Sequence, residues 1–284
     1  MYVQNLPTAW RCGRFLFDWQ KRMRPLVMGI LNTTPDSFSD GGRFASRDAA
    51  LRQAEHMITS GVDIIDIGGE STRPGAQAVP LELELERVLP IIEALRDCGT
   101  ALSIDTYKPK TMLAALKLGV DCVNDVWALR QAGGIEAVRL SGCGVVLMHM
   151  QRDPQTMQFN PEYLDVVTDV RLFLEERAKE VEAAGVSAEQ IILDPGFGFG
   201  KSLEHNLRML REFGSFTELG YPVLLGISRK SMLGKISGKE VHERLAPGIA
   251  ATIMAVEQGA ALVRTHDVPE TFDALRLWEA ARVL

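Results

Sequence analysis

Eight short apolar runs recur along the chain, at Leu26–Leu31, Ile64–Ile67, Ala101–Ile104, Cys122–Val126, Gly144–Met148, Ile191–Leu193, Pro222–Ile227 and Ala260–Val263. Runs this short and this continuous read as strands buried on both faces, the habit of a parallel sheet. The segments between them have helical period. Ser46–Ser60 puts Ala50, Leu51, Ala54, Met57 and Ile58 on one face and stops at Gly61, and Pro161–Ala184 carries Val166, Val167, Val170, Leu174 and Val181. Pro109, Pro247 and Pro269 read as helix starts, whereas Pro90, inside Glu82–Arg96, either kinks that helix or marks its true beginning. Strand and helix alternating eight times over about 250 residues predicts an α/β fold, a closed parallel (β/α)8 TIM barrel. An open doubly wound sheet is the other solution, because runs such as the fourth are short.

Nearly every run ends in a polar residue: Asn32, Asp66 with Glu70, Asp105, Asn124 with Asp125, His149, Asp194, Ser228 to Lys230, and Arg264 with His266. In a barrel these converge on one mouth. Asp194 heads the stretch IILDPGFGFGK, Ile191–Lys201, where a buried strand stops at a carboxylate and the backbone beyond is freed of bulk, so that a flat polar ligand can approach both. The competing reading makes Asp194 a helix cap. Neither nucleotide motif applies here. Pro195 stands where a phosphate loop needs its first glycine, and Gly196, Gly198 and Gly200 have the wrong third spacing for a dinucleotide fingerprint.

Asp105 sits at a strand tip or caps the helix near Pro109. Asn124 lies within a strand, where an unpartnered amide costs about 1–3 kcal/mol, so a ligand or a network is expected. Asn32 offers a carbonyl to magnesium or an amide to phosphate, at the head of a loop to Gly42 whose small polar residues predict mobility. Arg73, between the glycines of Gly68–Gly75, either clamps an anion or pairs on the surface. His149 reads as a histidine satisfied by neighbouring backbone. Gly226–Ser231 brings Arg229 and Lys230 directly after a strand, and Arg264 and His266 point the same way on an extended backbone. Asp105, Asn124 and Asp194 then make an acceptor side for a donor-edged heterocycle, and Lys230, Arg264 and His266 a basic side for phosphate.

The formal charge of −6 and pI near 5.5 argue against a nucleic-acid or membrane-surface role, which needs a basic face, so any anion is expected to be bound locally. Cys12, Cys98, Cys122 and Cys143 form no Cys-x-x-Cys pair and are expected to be buried thiols. No run reaches the ~18 apolar residues of a membrane span, and the first 24 residues, with Arg11, Arg14, Asp18 and Lys21 scattered through them, are no signal peptide. These features predict a cytoplasmic protein with a preamble, residues 1–24, that covers the barrel bottom or packs beside it, and a single domain over 25–284.

Met28–Gly42, Asp66–Gly75, Ser103–Thr106, Leu193–Lys201, Ser228–Ser231 and Arg264–Asp267 closely resemble, in order, the motifs of the dihydropteroate synthase family of folate biosynthesis. Leu147–Gln151 and Glu204–Leu207 fit as well. Thr33 stands where valine is usual and Arg152 where glycine is usual, and residues 1–24 look peculiar to this chain. The resemblance implies a homodimeric transferase that joins 6-hydroxymethyl-7,8-dihydropterin diphosphate to 4-aminobenzoate, with magnesium, releasing diphosphate. It assigns Asp105, Asn124, Asp194, Gly226 and Lys230 to the pterin, with Met148 and Phe199 lining its slot. Asn32, Arg264 and His266 are assigned to the diphosphate, Asn32 also to the metal, and Thr72, Arg73, Pro74 and Ser231 to the aminobenzoate. Asp105, Lys230, Arg264 and His266 would carry the chemistry, through departure of diphosphate ahead of amine attack. The alternatives are a methyltetrahydrofolate methyltransferase barrel, a Schiff-base aldolase using Lys230, and a non-catalytic pterin-binding relative.

Overall fold

The computed structural model describes residues 7–33, 42–71, 78–151 and 161–282, with the backbone alone at 42–46. Residues 34–41 of the first loop, together with Thr72, Arg73, Pro74 and Arg152, lie outside the described residues.

A hairpin of β1 (Ala9–Cys12) and β2 (Phe15–Asp18) comes first. The alternation follows: β3 (Leu26–Asn32), α1 (Gly42–Thr59), β4 (Ile64–Gly68), α2 (Leu81–Leu95), β5 (Ala101–Asp105), α3 (Pro109–Lys117), β6 (Cys122–Asp125), α4 (Gly134–Val138), β7 (Gly144–Met148) and α5 (Val166–Ala183). The second half holds β8 (Ile191–Asp194), α6 (Leu203–Arg211), α7 (Gly214–Thr217), β9 (Leu224–Leu225), α8 (Ser231–Ser237), α9 (Leu245–Glu257), β10 (Leu262–Thr265) and α10 (Val268–Ala280). All eight apolar runs became strands of one parallel sheet, ordered β8-β7-β6-β5-β4-β3-β10-β9. A bridge between Leu193 and Val223 joins the two ends of that row, so the sheet is a barrel and not an open doubly wound sheet. The seam is thin because β9 keeps only two ladder residues; Pro222 has no N–H to give, though its carbonyl accepts from Leu193 N at 2.9 Å.

Of the two readings of Pro90 the structure has the first, since α2 begins at Leu81 and the proline is internal. Two other helix starts differ from expectation. α5 begins at Val166 rather than Pro161, because the Asp165 side chain accepts from Thr168 N at 2.9 Å and caps it there. α9 begins at Leu245, just ahead of Pro247.

Every strand sends alternate residues inward. Low in the barrel these are apolar: Leu26, Met28, Ile64, Ala101, Cys122, Val146, Ile192, Leu224 and Leu262 form one buried cluster. The hairpin's Trp10, Cys12 and Phe17 belong to the same cluster, so the preamble covers the barrel bottom. Trp10 Nε1 donates to the Gln190 carbonyl at 3.0 Å, and Gly144 makes room for its ring, since a Cβ there would lie 2.6 Å from it. Arg14 fastens the hairpin to Asp121 with Nε and Nη2 at 2.9 and 2.8 Å. Cys12, Cys122 and Cys143 are buried free thiols, as expected, whereas Cys98 is a free thiol that is only half-buried. A larger apolar layer fills the space between strands and helices.

Candidate active site

At the other end of the barrel the inward positions turn polar. The ladder sets Asn32, Gly68, Asp105 and Asn124 level with one another on β3, β4, β5 and β6, and pairs Met148 with Asp194 on β7 and β8. Thr33 turns its hydroxyl onto the Gly68 carbonyl at 3.1 Å.

Arg264 is the centre of this layer. Its Nε donates to Asp66 Oδ2 at 2.6 Å and its Nη2 to Asp105 Oδ2 at 2.7 Å, while Asn124 Nδ2 reaches the same Asp66 oxygen at 2.9 Å. Asn124 has thus found the partner its burial requires. The second oxygens, Asp66 Oδ1 and Asp105 Oδ1, are buried without a hydrogen-bond partner among the described residues. Burial pushes the Asp105 carboxyl up to about 7; Arg264 opposes the shift, while Asp66, Asp125 and Glu84 add to it. Burial also works against the Arg264 cation, yet Asp66 and Asp105 outweigh it and hold the guanidinium above its ordinary value.

The separation into an acceptor side and a basic trio is therefore corrected. Arg264 lies on the carboxylates, His266 turns to Ser228, with Nδ1 and Ser228 Oγ 3.0 Å apart, and Lys230, which follows β9, reaches across to the loop after β8. The reason is electrostatic: a guanidinium at the mouth of a narrow barrel meets buried carboxylates on neighbouring strands before it meets another cation. Arg229 pairs with Asp267.

Asp194 does not cap a helix. Its Oδ1 accepts from Gly196 N at 2.7 Å, and α6 is capped instead by Ser202, whose hydroxyl accepts from His205 N at 3.1 Å. Burial raises the Asp194 carboxyl, and Lys230 chief among its neighbours opposes the shift. Gly226 leaves the other oxygen uncrowded, as even an added Cβ would stay 3.6 Å from Oδ2. Gly196 has φ +70° and a Cβ on it would fall 2.0 Å from the His149 carbonyl oxygen, so this turn admits only glycine.

Two lysines organise the carbonyls of the glycine loop. Lys201 Nζ donates to Gly196 O at 2.9 Å and Phe199 O at 3.0 Å, and lies 2.9 Å from His149 Nδ1. His149 is accordingly structural, its basicity suppressed by burial and then by Lys201. Lys230 Nζ donates to Phe197 O and stands 4.2 Å over the Phe199 ring. Burial pushes the Lys230 ammonium down to about 7, against the pull of Asp194. Met148 and Phe199 join Val126, Met150, Tyr107 and Trp127 in an apolar wall beside these groups. Ser231 opens α8 and lines, with Gly198, Asn206 and Lys235, a cavity of about 170 Å³.

Sequence reasoning placed Asp66 at a strand end without giving it a role, and it missed Lys201 and the pair Glu84 and Lys108. An aspartate between isoleucines in Ile64-Ile65-Asp66-Ile67 was the available signal, since a buried strand keeps such a residue only with a partner. Among the described residues no helix is long and apolar enough to cross a membrane.

A family model described as pterin binding enzyme matches residues 28–266. The chain is 48% identical over 259 residues to the dihydropteroate synthase of Haemophilus influenzae, covering 90% of this chain and 94% of the relative. It superposes on the crystal structure of Burkholderia cenocepacia dihydropteroate synthase complexed with 7,8-dihydropteroate with TM-score 0.89, at 52% identity over 98% of each chain. It superposes on Xanthomonas albilineans dihydropteroate synthase with 4-aminobenzoic acid with TM-score 0.91, at 45% identity over 98% of this chain and 99% of the other. Coverage of 98% corrects the expectation that residues 1–24 are peculiar to this chain.

Proposed function

The chain belongs to the dihydropteroate synthases of the pterin-binding enzyme family, and on that premise we propose how its own residues divide the condensation of 6-hydroxymethyl-7,8-dihydropterin diphosphate with 4-aminobenzoate. Asp194 and Asn124 take the donor-rich edge of the pterin, with Met148 and Phe199 against the ring and Gly226 leaving room beside the carboxylate. Lys230, which follows β9 and is bonded to the glycine loop, supports the same ring. The observation that carries this assignment is the Arg264 cluster. A single guanidinium lies between two carboxylates, one of which also accepts from Asn124, so one side chain borders both the ring and the carbon that loses diphosphate.

The bond that breaks joins the pterin methylene carbon to the diphosphate oxygen, which leaves with the electron pair. Arg264 and His266 offset the negative charge growing on that oxygen, and Asp105 offsets the positive charge spreading into the pterin. The amine nitrogen of 4-aminobenzoate then bonds to the methylene and sheds a proton. No base is obligatory, and position is the main requirement. Thr72, Arg73, Pro74 and Ser231 hold the aminobenzoate, and the cavity at Ser231 supports that placement.

Asn32 is the residue that would hold magnesium. Its Oδ1 and the Asp105 carboxylate both border Gly68, and among the described residues no group of three or more ligating side chains forms a metal site. One amide oxygen fits an ion that arrives on diphosphate, since Mg²⁺ takes phosphate oxygens and water beside one or two protein oxygens. Bound there, it would supply further neutralisation of the leaving group. A homodimer belongs to the same proposal, supported by the exposed apolar Ile236, Leu245, Met254 and Leu277 on the adjoining helices α8, α9 and α10.

The test is a one-pot reaction with pterin diphosphate, 4-aminobenzoate and magnesium, followed for both products. Dihydropteroate and diphosphate are expected in equal amounts; release of neither would favour a non-catalytic pterin binder. Asp194→Ala should abolish pterin binding by titration, and retained binding would refute the role given to that carboxylate.

A further inference from the structure

Among the described residues only three other than glycine take a positive φ: Ala128 at 54°, Leu129 at 57° and Arg229 at 56°. All three lie on connections that leave strands at the mouth of the barrel, Ala128 and Leu129 after β6 and Arg229 after β9. A left-handed backbone is costly for any residue with a Cβ, and two in succession persist only where their surroundings hold them.

The hold on the first pair is a buried carboxylate. Asp125, the last residue of β6, folds its side chain back on the turn, so that Oδ1 accepts from Trp127 N at 2.7 Å and Oδ2 from Leu129 N at 2.8 Å. Its carbonyl accepts from Ala128 N at 3.0 Å. Burial pushes the carboxyl up to about 6 and the two backbone N–H groups oppose the shift, so it is ionised at neutral pH. Arg177 of α5 donates from Nε to the Ala128 carbonyl, although its buried Nη2 finds no hydrogen-bond partner among the described residues. The turn divides its side chains between two layers. Ala128 and Leu129 enter the apolar layer under the helices, whereas Val126 and Trp127 join the wall that contains Met148 and Phe199, with Trp127 edge-on to Tyr107 at 6.2 Å. Glycine would supply the same backbone without strain, but it would leave the outer layer without these two side chains.

We infer that Asp125 is a positioning residue for the pterin: by holding the strained turn it sets Val126 and Trp127 into the wall of the slot beside Asn124 and Met148. The inference rests on the pterin assignment proposed above. Without both acceptors the turn relaxes toward ordinary φ, the wall loses its register, and the ordering is charged to the binding event.

The experiment measures kcat and both KM values for Asp125→Asn in the full chain. The isosteric amide keeps one acceptor and turns an NH2 group against the other backbone N–H. The KM for pterin diphosphate should rise about tenfold, corresponding to about 1.4 kcal/mol, with the KM for 4-aminobenzoate and kcat at saturation little changed. A merely structural role would lower the active fraction and leave both KM values where they were, and that result overturns the inference. Adding Ala128→Gly to Asp125→Asn removes the strain at one of the two positions and should recover part of the affinity; no recovery means that the carboxylate does not act through the turn, and overturns the inference as well. Should Asp125→Asn not fold, Arg177→Lys, which loses the fixed bond to the Ala128 carbonyl, decides instead: a rise in the pterin KM supports the inference, and no rise overturns it. Asp194→Ala is titrated with pterin in parallel. If it abolishes binding while Asp125→Asn leaves the pterin KM unchanged, the positioning role fails and the pterin assignment stands. If Asp194→Ala binds pterin normally, that assignment fails and the inference falls with it.

Discussion

Arg264 Nη2 lies 2.7 Å from Asp105 Oδ2, across β3 and β4 and 159 positions away in sequence. The cation assigned to the leaving group is thereby shared with the carboxylate assigned to the ring. Charge at the mouth is balanced before substrate arrives, and binding of diphosphate must redistribute it.

Replacing Arg264 by Met leaves Asp66 and Asp105 buried without their counter-charge. Breaking a buried pair in this way costs roughly 3–5 kcal/mol, which for a chain of this size lowers Tm by on the order of 10 °C. The loss should depend on pH. Asp105 already titrates at about 7, above its unfolded value, and the variant removes the neighbour that most lowers it. The folded state then binds more protons than the unfolded state, so stability falls as pH rises. Thermal melts at pH 5 and pH 8 should show the larger deficit at pH 8; an equal deficit would refute the account.

Asp105 and Lys230 both titrate at about 7 in the free protein, the first raised by burial and the second lowered by it. Because kcat/KM reports the free enzyme, its profile for pterin diphosphate should be a narrow bell near neutrality, with limits belonging to the coupled set. Lys230→Met should remove the alkaline limb. Asp105→Asn should remove the acid limb from near neutrality. A flat profile between pH 6 and 8 in the parent protein would contradict the placement of both groups.

Much of this arrangement was legible beforehand, and the illegible part has a physical cause. Strand periods and the polar residues that end them are local patterns, so the barrel and the placing of Asn32, Asp105, Asn124 and Asp194 at strand ends around one mouth could be read from spacing. Pairings such as Arg264 with Asp66, 198 positions apart, depend on which strands become neighbours and on side-chain reach. No local pattern encodes that. Lys201 illustrates the limit from the other direction: it resembled the lysine of a phosphate loop, and its true partners are carbonyls of its own loop.

Gly196→Ala should damage the loop it opens. Positive φ alone costs a non-glycine residue about 1–2 kcal/mol, and the methyl would also fall 2.0 Å from the His149 carbonyl oxygen. Pterin affinity measured by titration should fall at least tenfold, because the turn that fills Asp194 Oδ1 must move. Normal affinity would show that the loop relaxes without disturbing that carboxylate.

Asn32→Ala should raise the magnesium concentration needed for half-maximal rate by roughly tenfold, the loss of one charge-assisted contact of about 1.4 kcal/mol. Pterin binding without diphosphate should be unaffected. A magnesium titration of rate is the measurement, and an unmoved midpoint would remove Asn32 from the metal.

Trp10→Ala should destabilise without touching catalysis. Emptying a fully buried indole site costs about 3–5 kcal/mol, and Trp10 packs at the barrel end opposite the mouth. The melt should shift down while kcat and both KM values hold at a temperature where the variant is folded. Altered KM values would mean that the two ends of the barrel are coupled.

The bond from Trp10 to the Gln190 carbonyl joins positions 180 apart, and the cluster around that indole also takes in Leu262. A nascent chain therefore emits its hairpin long before the ribosome has delivered the surface on which it docks. Until then an indole and two other apolar side chains stand in water, in the condition that holding chaperones recognise. Docking of the hairpin therefore waits on chain made much later, and contacts of such long sequence separation are the kind that slow folding.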